Sequence, residues 1–307
     1  MRKVIVILGQ TTTGKSDLAV KIAQKINGEI ISADSRQVYQ GLNIGTGKIT
    51  KKEMRGVAHH LLDVVSPKSK FSVALYQKQA ISAMADIVKR GKTPIICGGT
   101  GFYIDAVTNG IVFPEVPPNY QLRKELALVS DRALMLKLRT LDPIRAKNID
   151  AQNKVRLIRA IEIVKTTGKP VPTDIKQGPT FFTSSGGLKS LIIGIKIPKE
   201  KMYKRIDQRL RQHLKQGMIQ EVKNLLKKGI SHKRLQSLGL EYRFISLFLQ
   251  NKLAYKEMTE KLKNAIHQYA KRQMTWFKRN KDIHWISADS KGKKGVLRLT
   301  KRFLRKA

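Results

Sequence analysis

The segment VILGQTTTGKSDLAV, Val6 to Val20, constrains this chain more than any other: an apolar strand, a loop with a glycine at each end, then a helical pattern. Gly9, Gln10 to Thr13, Gly14, Lys15 and Ser16 fit G-x-x-x-x-G-K-[ST], with a strand before and a helix after, as that pattern requires. The glycines let backbone N–H groups turn inward around phosphate oxygens, and the helix N-terminus adds positive potential. Lys15 supplies a point charge, the Ser16 hydroxyl can reach a Mg²⁺ ion, and Thr11, Thr12 and Thr13 add hydroxyl donors. The competing reading, a chance glycine-rich turn, is disfavoured by the flanking elements. Such a loop holds a phosphate without saying whether it belongs to a nucleotide consumed for energy or to a substrate whose bond to carbon breaks.

Strand and helix patterns alternate around this loop: KVIVIL, a helix from about Ser16 to Lys25, GEIISAD, a helix near Ser72 to Arg90, then KTPIICGG. Alternation of this kind implies a parallel sheet with crossover helices, so the expected class is α/β, a P-loop NTPase-like parallel sheet core. From Pro114 the pattern changes, with FPEVPP as a breaker before three or four helical segments between Tyr120 and Thr167. A loop, TGKPVPTDIKQGPTFFTSSGG, follows, and SLIIGIKIP then reads as a strand that re-enters the sheet. The expected organisation is a core of residues 1–114 and 189–307 with a helical insertion over 115–188. The C-terminal remainder reads as helical and basic. Met202, Ile206, Leu210 and Leu214 form one apolar stripe, and a long amphipathic helix runs near Tyr255 to Lys281.

Lys and Arg number 61 against 22 Asp and Glu, a formal charge of +39, far beyond what solubility requires. From Lys199 onward there are 30 basic and 8 acidic residues, +22 against +17 for the first 198, so positive charge is more than twice as dense there. A lysine-rich proteome would explain some of the excess but not the asymmetry; an extended polyanion is the first suspect as partner. The single cysteine, Cys97, lies in an apolar run and reads as a small buried residue, which excludes a disulfide framework. The apolar run after Met1-Arg2-Lys3 flows into the phosphate loop and reads as a core strand instead of a signal peptide. No later run reaches the roughly 18 apolar residues of a membrane span, so a cytoplasmic, soluble, monomeric protein without membrane partners is expected.

Two other strand ends bear chemistry. GEIISAD delivers Asp34 to the edge where open α/β folds bind ligands, where it can hold metal or take a proton from a nucleophile; capping the next segment is the competing role. GGTGFY, Gly98 to Tyr103, presents Thr100 at the same edge, or is an ordinary strand-to-helix turn. Three strand ends converging on one cleft favour function.

GQTTTGKS, ISADSRQVYQGLNIGTGK, HHLLD, GGTGFYI, RIDQRL and AKRQMTWFKR occur in the order and spacing of the tRNA dimethylallyltransferases, or tRNA isopentenyltransferases, and the chain resembles that family from residue 4 to about 286. DSRQVY with NIGT, and AKRQ followed by TWF, are the most specific parts. The chain departs from the family at LGLEYR, where a Gly-Tyr pair is frequent.

The resemblance implies transfer of a dimethylallyl group from its diphosphate to N6 of the adenosine 3′-adjacent to the anticodon, with tRNA and dimethylallyl diphosphate as partners and Mg²⁺ as cofactor. Gly9, Thr11, Thr12, Thr13, Gly14, Lys15 and Ser16 would hold the diphosphate, Ser16 the metal, and Arg205 would neutralise diphosphate charge; Arg209 is as readily a surface residue. Asp34 matches the family's general base and Thr100 a residue near the amine. Ser35, Arg36 and Gln37 would meet the target nucleotide. In the insertion, Val155, Arg156, Leu157, Ile158 and Arg159, with Arg123, resemble the grip on the anticodon stem-loop, although these arginines also suit the solvated face of a helix whose apolar side carries Val155, Ile158 and Ile161. His59 reads as a satisfied structural histidine. Tyr269, Trp276 and Phe277 read as core, beside phosphate-tracking Lys271, Arg272, Lys278 and Arg279. No His, Cys or carboxylate cluster reads as a zinc site. The competing functions are a small-molecule kinase using ATP, a non-catalytic RNA-binding protein, and the related enzyme that prenylates free adenine nucleotides.

Overall fold

The computed structural model describes residues 2–172 and 187–305. In chain order come β1 (Arg2–Gly9), α1 (Lys15–Lys25), β2 (Gly28–Ala33), α2 (Lys51–Met54), β3 (His59–His60), α3 (Val73–Lys89), β4 (Thr93–Gly98) and α4 (Gly101–Thr108). Four helices follow: α5 (Tyr120–Leu128), α6 (Asp131–Leu141), α7 (Pro143–Asn148) and α8 (Lys154–Thr167). Then come β5 (Leu188–Lys196), α9 (Lys199–Lys215), α10 (Met218–Lys227), α11 (His232–Leu238), α12 (Leu240–Leu249), α13 (Tyr255–Phe277), β6 (His284–Ser287) and α14 (Ser290–Arg305).

The strands make one parallel sheet in the order β3-β2-β4-β1-β5-β6. Ile5 of β1 lies opposite Ile95 of β4 on one side and Leu191 of β5 on the other. Because both faces are covered, β1 reads as an unbroken apolar run. Val4, Val6 and Leu8 pack with Tyr76, Ala80 and Met84 of α3, whereas Ile5 and Ile7 pack with Leu18, Ala19 and Ile22 of α1. Removing each such side chain from water contributes about 1.5–3 kcal/mol. α3 starts where the Ser72 hydroxyl accepts the Leu75 N–H at 3.2 Å, and it buries Tyr76, Ala80, Met84 and Ile87 at helical spacing. The α9 stripe is as its spacing predicts: Met202, Ile206 and Leu210 are buried and Leu214 is partly so.

The fold comprises two compact units, Met1–Thr108 with Pro179–Ala307, and Asn109–Gly178. In the first, α9 to α13 pack around Met218, Val222, Leu235, Tyr242, Met258 and Leu262, joined by Val38, Tyr39 and Leu42 from the chain after β2. That packing fixes the segment beyond Asp34. In the second unit, α5 to α8 close on Leu134, Leu138, Leu157 and Ile161. Asp142 ties this unit together: Oδ1 accepts the Arg145 N–H at 2.9 Å and Oδ2 the Val171 N–H at 2.7 Å.

Three expectations need correction. The stretch after Pro198 is not helical throughout: β6 adds a sixth strand beside β5, and its four residues are too few to show a period. α13 ends at Phe277, four residues before Lys281. Val155 does not share the buried side of α8; it is 78% exposed, because it lies in the first turn on the face opposite Leu157 and Ile161. Residues 173–186 of the loop that joins insertion and core lie outside the described residues. Among the described residues no helix is long and apolar enough to cross a membrane.

Candidate active site at the carboxyl ends of the strands

A cavity of about 420 Å³ opens where β1, β2 and β4 end, the edge at which open α/β sheets bind ligands. Its wall includes Thr11, Thr12, Lys15 and Ser16 of the phosphate loop; Asp34 to Gln37; Gly45 to Gly47; Cys97 and Gly98 at the end of β4; Arg209 and His213 of α9; Gln236 and Ser237 of α11; Glu241 and Arg243 of α12; and Tyr269, Arg272 and Gln273 of α13.

The phosphate loop is braced from within and behind. The Thr13 hydroxyl donates to Gln10 O at 2.8 Å, and a Cβ on Gly9 would meet Thr13 Oγ1 at 2.9 Å and Ile195 O at 3.0 Å, so the loop sits against β5. Gly14 takes φ 83° just before α1, a left-handed backbone that a glycine adopts without steric cost. Thr12 takes φ 62°, which is unfavourable for a β-branched residue, and its Oγ1 is buried with no hydrogen-bond partner. A strained backbone and an orphaned hydroxyl at one residue are what a loop prepared for an anion displays. Gly9, Thr13 and Gly14 shape this loop without lining the cavity.

One loop amide does not face inward. The Thr11 N–H donates to Gln273 Oε1 at 3.0 Å, while Gln273 Nε2 donates to Gly99 O at 2.8 Å. Gln10 Nε2 in turn donates to Ala270 O at 2.7 Å. α13 therefore staples the loops after β1 and β4 together through the last residue of the AKRQ motif, a role that the motif alone does not reveal.

Asp34 caps the segment that follows β2 and also lies on the cavity wall. Its Oδ1 accepts the Arg36 N–H at 2.8 Å and the Gln37 N–H at 3.3 Å, and the carboxylate lines the cavity. Ser35, Arg36 and Gln37 line it as well. Thr100 is set back from the wall, where its Oγ1 accepts the Ser35 N–H at 3.1 Å and so steadies the turn that carries Asp34.

Both α9 arginines reach the phosphate loop. Arg205 donates to Thr12 O at 3.3 Å and is not itself among the residues of the cavity wall. Arg209 does line it: Nη1 lies 3.4 Å from Thr11 Oγ1, Nη2 3.4 Å from Thr46 O, and Nε donates to His213 Nε2 at 3.3 Å. Burial, then Arg209, pushes His213 down to about 4, so its ring is neutral and can accept. Burial also pulls Lys15 below its usual value, against the attraction of Cys97 and Asp34, and pushes the Glu241 carboxyl up to about 7. Cys97 is buried, as its apolar run implies, and burial raises it to about 11. Tyr269, expected as core, instead faces the cavity; Phe277 is core, and Trp276 donates to Asp105 Oδ2 at 2.8 Å.

The insertion residues divide. Leu157 and Ile158 are buried in the core of their unit and present no side chain to a ligand. Arg123 and Arg159 converge on fully buried Glu162: Arg123 reaches its two oxygens at 2.8 and 2.6 Å, and Arg159 reaches Oε2 at 2.5 Å. Both arginines thus serve as structural counter-ions. Arg156 and Val155 are exposed. His59 is structural, with Nδ1 2.9 Å from Val57 O and burial holding it below its usual value.

Among the described residues no group of three or more His, Cys, Asp or Glu side chains converges as a metal centre. A Mg²⁺ ion is compatible with the donors present nonetheless, since it is commonly held through substrate phosphates and few protein oxygens, and the Ser16 hydroxyl is on the wall.

The IPP transferase family model matches residues 37–280. A tRNA dimethylallyltransferase of Anoxybacillus flavithermus is 41% identical over 285 residues, covering 92% of this chain and 90% of that protein. Among solved structures, a tRNA delta(2)-isopentenylpyrophosphate transferase of Staphylococcus epidermidis superposes with a TM-score of 0.71 at 34% identity over 100% of both chains. A eukaryotic dimethylallyltransferase acting on tRNA gives 0.81 at 27% identity, covering 99% of this chain and 80% of that one.

Proposed function

The chain belongs to the IPP transferase family, the tRNA dimethylallyltransferases, and from that premise we propose how its cavity transfers a dimethylallyl group from dimethylallyl diphosphate to N6 of the adenosine 3′-adjacent to the anticodon in tRNA. The observation that carries the reading is the cavity itself, with a phosphate loop on one wall and the Asp34 carboxylate on another.

Thr12 and Lys15, with Arg209, bind the diphosphate, and its negative charge offsets the burial of those cations. Mg²⁺, held by the Ser16 hydroxyl and the diphosphate, would supply further charge neutralisation on the leaving group. The target adenine leaves its stack and enters between Asp34 and Tyr269, as bases do in enzymes that modify them. N6 attacks C1 of the dimethylallyl group as the C1–O bond breaks, diphosphate departs with the electron pair, and Asp34 takes the N6 proton. Oδ1 is engaged by two backbone amides, so Oδ2 receives it. Thr100 and Gln273 position the turns that carry these groups, and Arg205 steadies the loop. Arg36, Gln37 and Arg272 contact the tRNA at the mouth, and exposed Arg156 and Val155 contact it from the insertion. The enzyme is cytoplasmic and monomeric in this reading.

The test is mass spectrometry of nucleosides after the purified protein meets unmodified tRNA, dimethylallyl diphosphate and Mg²⁺. One five-carbon unit on adenosine is expected. Transfer of γ-phosphate from ATP to a small acceptor, or efficient competition by AMP against an anticodon stem-loop, would replace this reading with one of its rivals.

A further inference from the structure

Glu241 is a second carboxylate on the cavity wall, at the point where the sequence departs from its family resemblance. It stands in the first turn of α12, and its backbone is held rigidly by its neighbour. Tyr242 is fully buried and donates to Glu221 Oε1 at 2.8 Å; Glu221 also accepts the N–H groups of Asn43, Ile44 and Gly45 at 3.0, 2.7 and 3.1 Å. The first turn of α12, which carries Glu241, is therefore fixed in place.

Its charged and titratable neighbours are Arg209 on α9, Asp34 and Arg36 after β2, Tyr269 on α13, and Tyr242 with Glu221 behind it, while Gln236 and Ser237 of α11 add only neutral groups to the wall. His213, beside Arg209, is neutral. Arg36, Arg243 and Arg272 are exposed at the mouth, where solvent screens them. Inside, Lys15 and Arg209 share the wall with Asp34 and Glu241, so the two carboxyl groups offset part of the positive charge offered to an anion.

We propose that Glu241 is a specificity-determining residue of the cavity: its carboxylate limits the negative charge that the phosphate loop accepts, admitting a diphosphate and disfavouring a triphosphate. The proposal rests on the diphosphate reading above and extends it, for it gives a loop of nucleoside-triphosphate type a reason to hold a prenyl diphosphate in a cell rich in nucleotides. Two like charges on the order of 10 Å apart, at an effective dielectric of ~20, disfavour one another by roughly tenfold. Since burial pushes Glu241 up to about 7, its charge is present above that pH and lost below it. Discrimination is therefore full in mildly alkaline solution and relaxes in mildly acidic solution.

The experiment measures Kd for pyrophosphate and for tripolyphosphate by calorimetry at fixed free Mg²⁺, on the full chain, E241Q and E241D, at about pH 8 and about pH 6. Comparing proteins at one pH cancels the titration of the ligands themselves. At the higher pH, E241Q should narrow the preference for pyrophosphate about tenfold while E241D retains it, and at the lower pH the unaltered protein should approach E241Q. Equal preference ratios in all three proteins at both pH values would overturn the proposal. So would a loss of affinity in E241Q that is the same for both anions and independent of pH, since that is the mark of a merely structural residue. Failure of the unaltered protein to bind pyrophosphate would instead remove the diphosphate reading, and the proposal with it.

Discussion

Arg209 in the catalytic unit and Arg159 in the insertion are both helical arginines in strongly basic stretches, yet their surroundings differ in kind. Arg159 meets a fully buried carboxylate, Glu162, which it shares with Arg123 and which also accepts the Asn119 N–H at 2.7 Å. Arg209 meets a carbonyl, a hydroxyl and a neutral imidazole, all at 3.3–3.4 Å, and no ion pair within salt-bridge distance forms on it among the described residues. A guanidinium that shares a buried carboxylate with a second one is part of the scaffold. One held in place by neutral groups keeps its charge for a ligand.

Asp34→Asn gives the largest expected effect and sharpens the contrast most. The amide oxygen can still accept the Arg36 and Gln37 N–H groups, so folding should be preserved while turnover falls ~10²–10⁴-fold. Single-turnover kinetics beside a thermal melt would check it; turnover within a few-fold of the unaltered protein would leave Asp34 as a cap alone. Next comes Glu162→Ala, which removes the carboxylate that Arg123, Arg159 and the Asn119 N–H share and should destabilise the insertion by ~1–3 kcal/mol in denaturant titration, with pyrophosphate affinity of the folded protein unchanged. The same carboxylate gives a pH signature. The paired arginines outweigh burial and hold it down at about 2, so its contribution is complete above the ordinary carboxylate range and drains away as pH falls through about 2.

Arg209→Ala should then weaken pyrophosphate binding roughly 10- to 100-fold, the range for hydrogen bonds to charged groups, whereas Arg123→Ala should not change it. Equal losses from the two would erase the distinction. Smallest of all, Arg156→Ala should weaken tRNA binding a few-fold and lower the salt slope by about 1, as for one phosphate contact. A larger response from Arg159→Ala, with the fold intact, would show that the Glu162 pairing opens when RNA binds.

Much of the cavity can be read from the chain because its first half is local. β1, the phosphate loop and α1 are contiguous, and Asp34 follows a strand whose apolar run marks its own end. The second half is assembled from afar. Arg205 and Arg209 are one turn apart on α9, and which of them reaches the cavity depends on how α9 lies against α13, where His267 Nε2 is 2.8 Å from Asp207 Oδ1. Helical periodicity cannot distinguish them. Glu241 and His213 owe their perturbed titration first to burial, which the sequence does not display, and the pairing of Arg159 depends on a buried glutamate that pattern alone places on a polar face.

The Gln273 staple also has a bearing on the order of events at the ribosome. The phosphate loop is made long before the side chain that clasps Thr11 to Gly99, which arrives only with residue 273. Nascent chains consequently carry an unclasped cradle while everything between the two is synthesised, and a messenger cut short before α13 yields a polypeptide that has the phosphate loop without its brace.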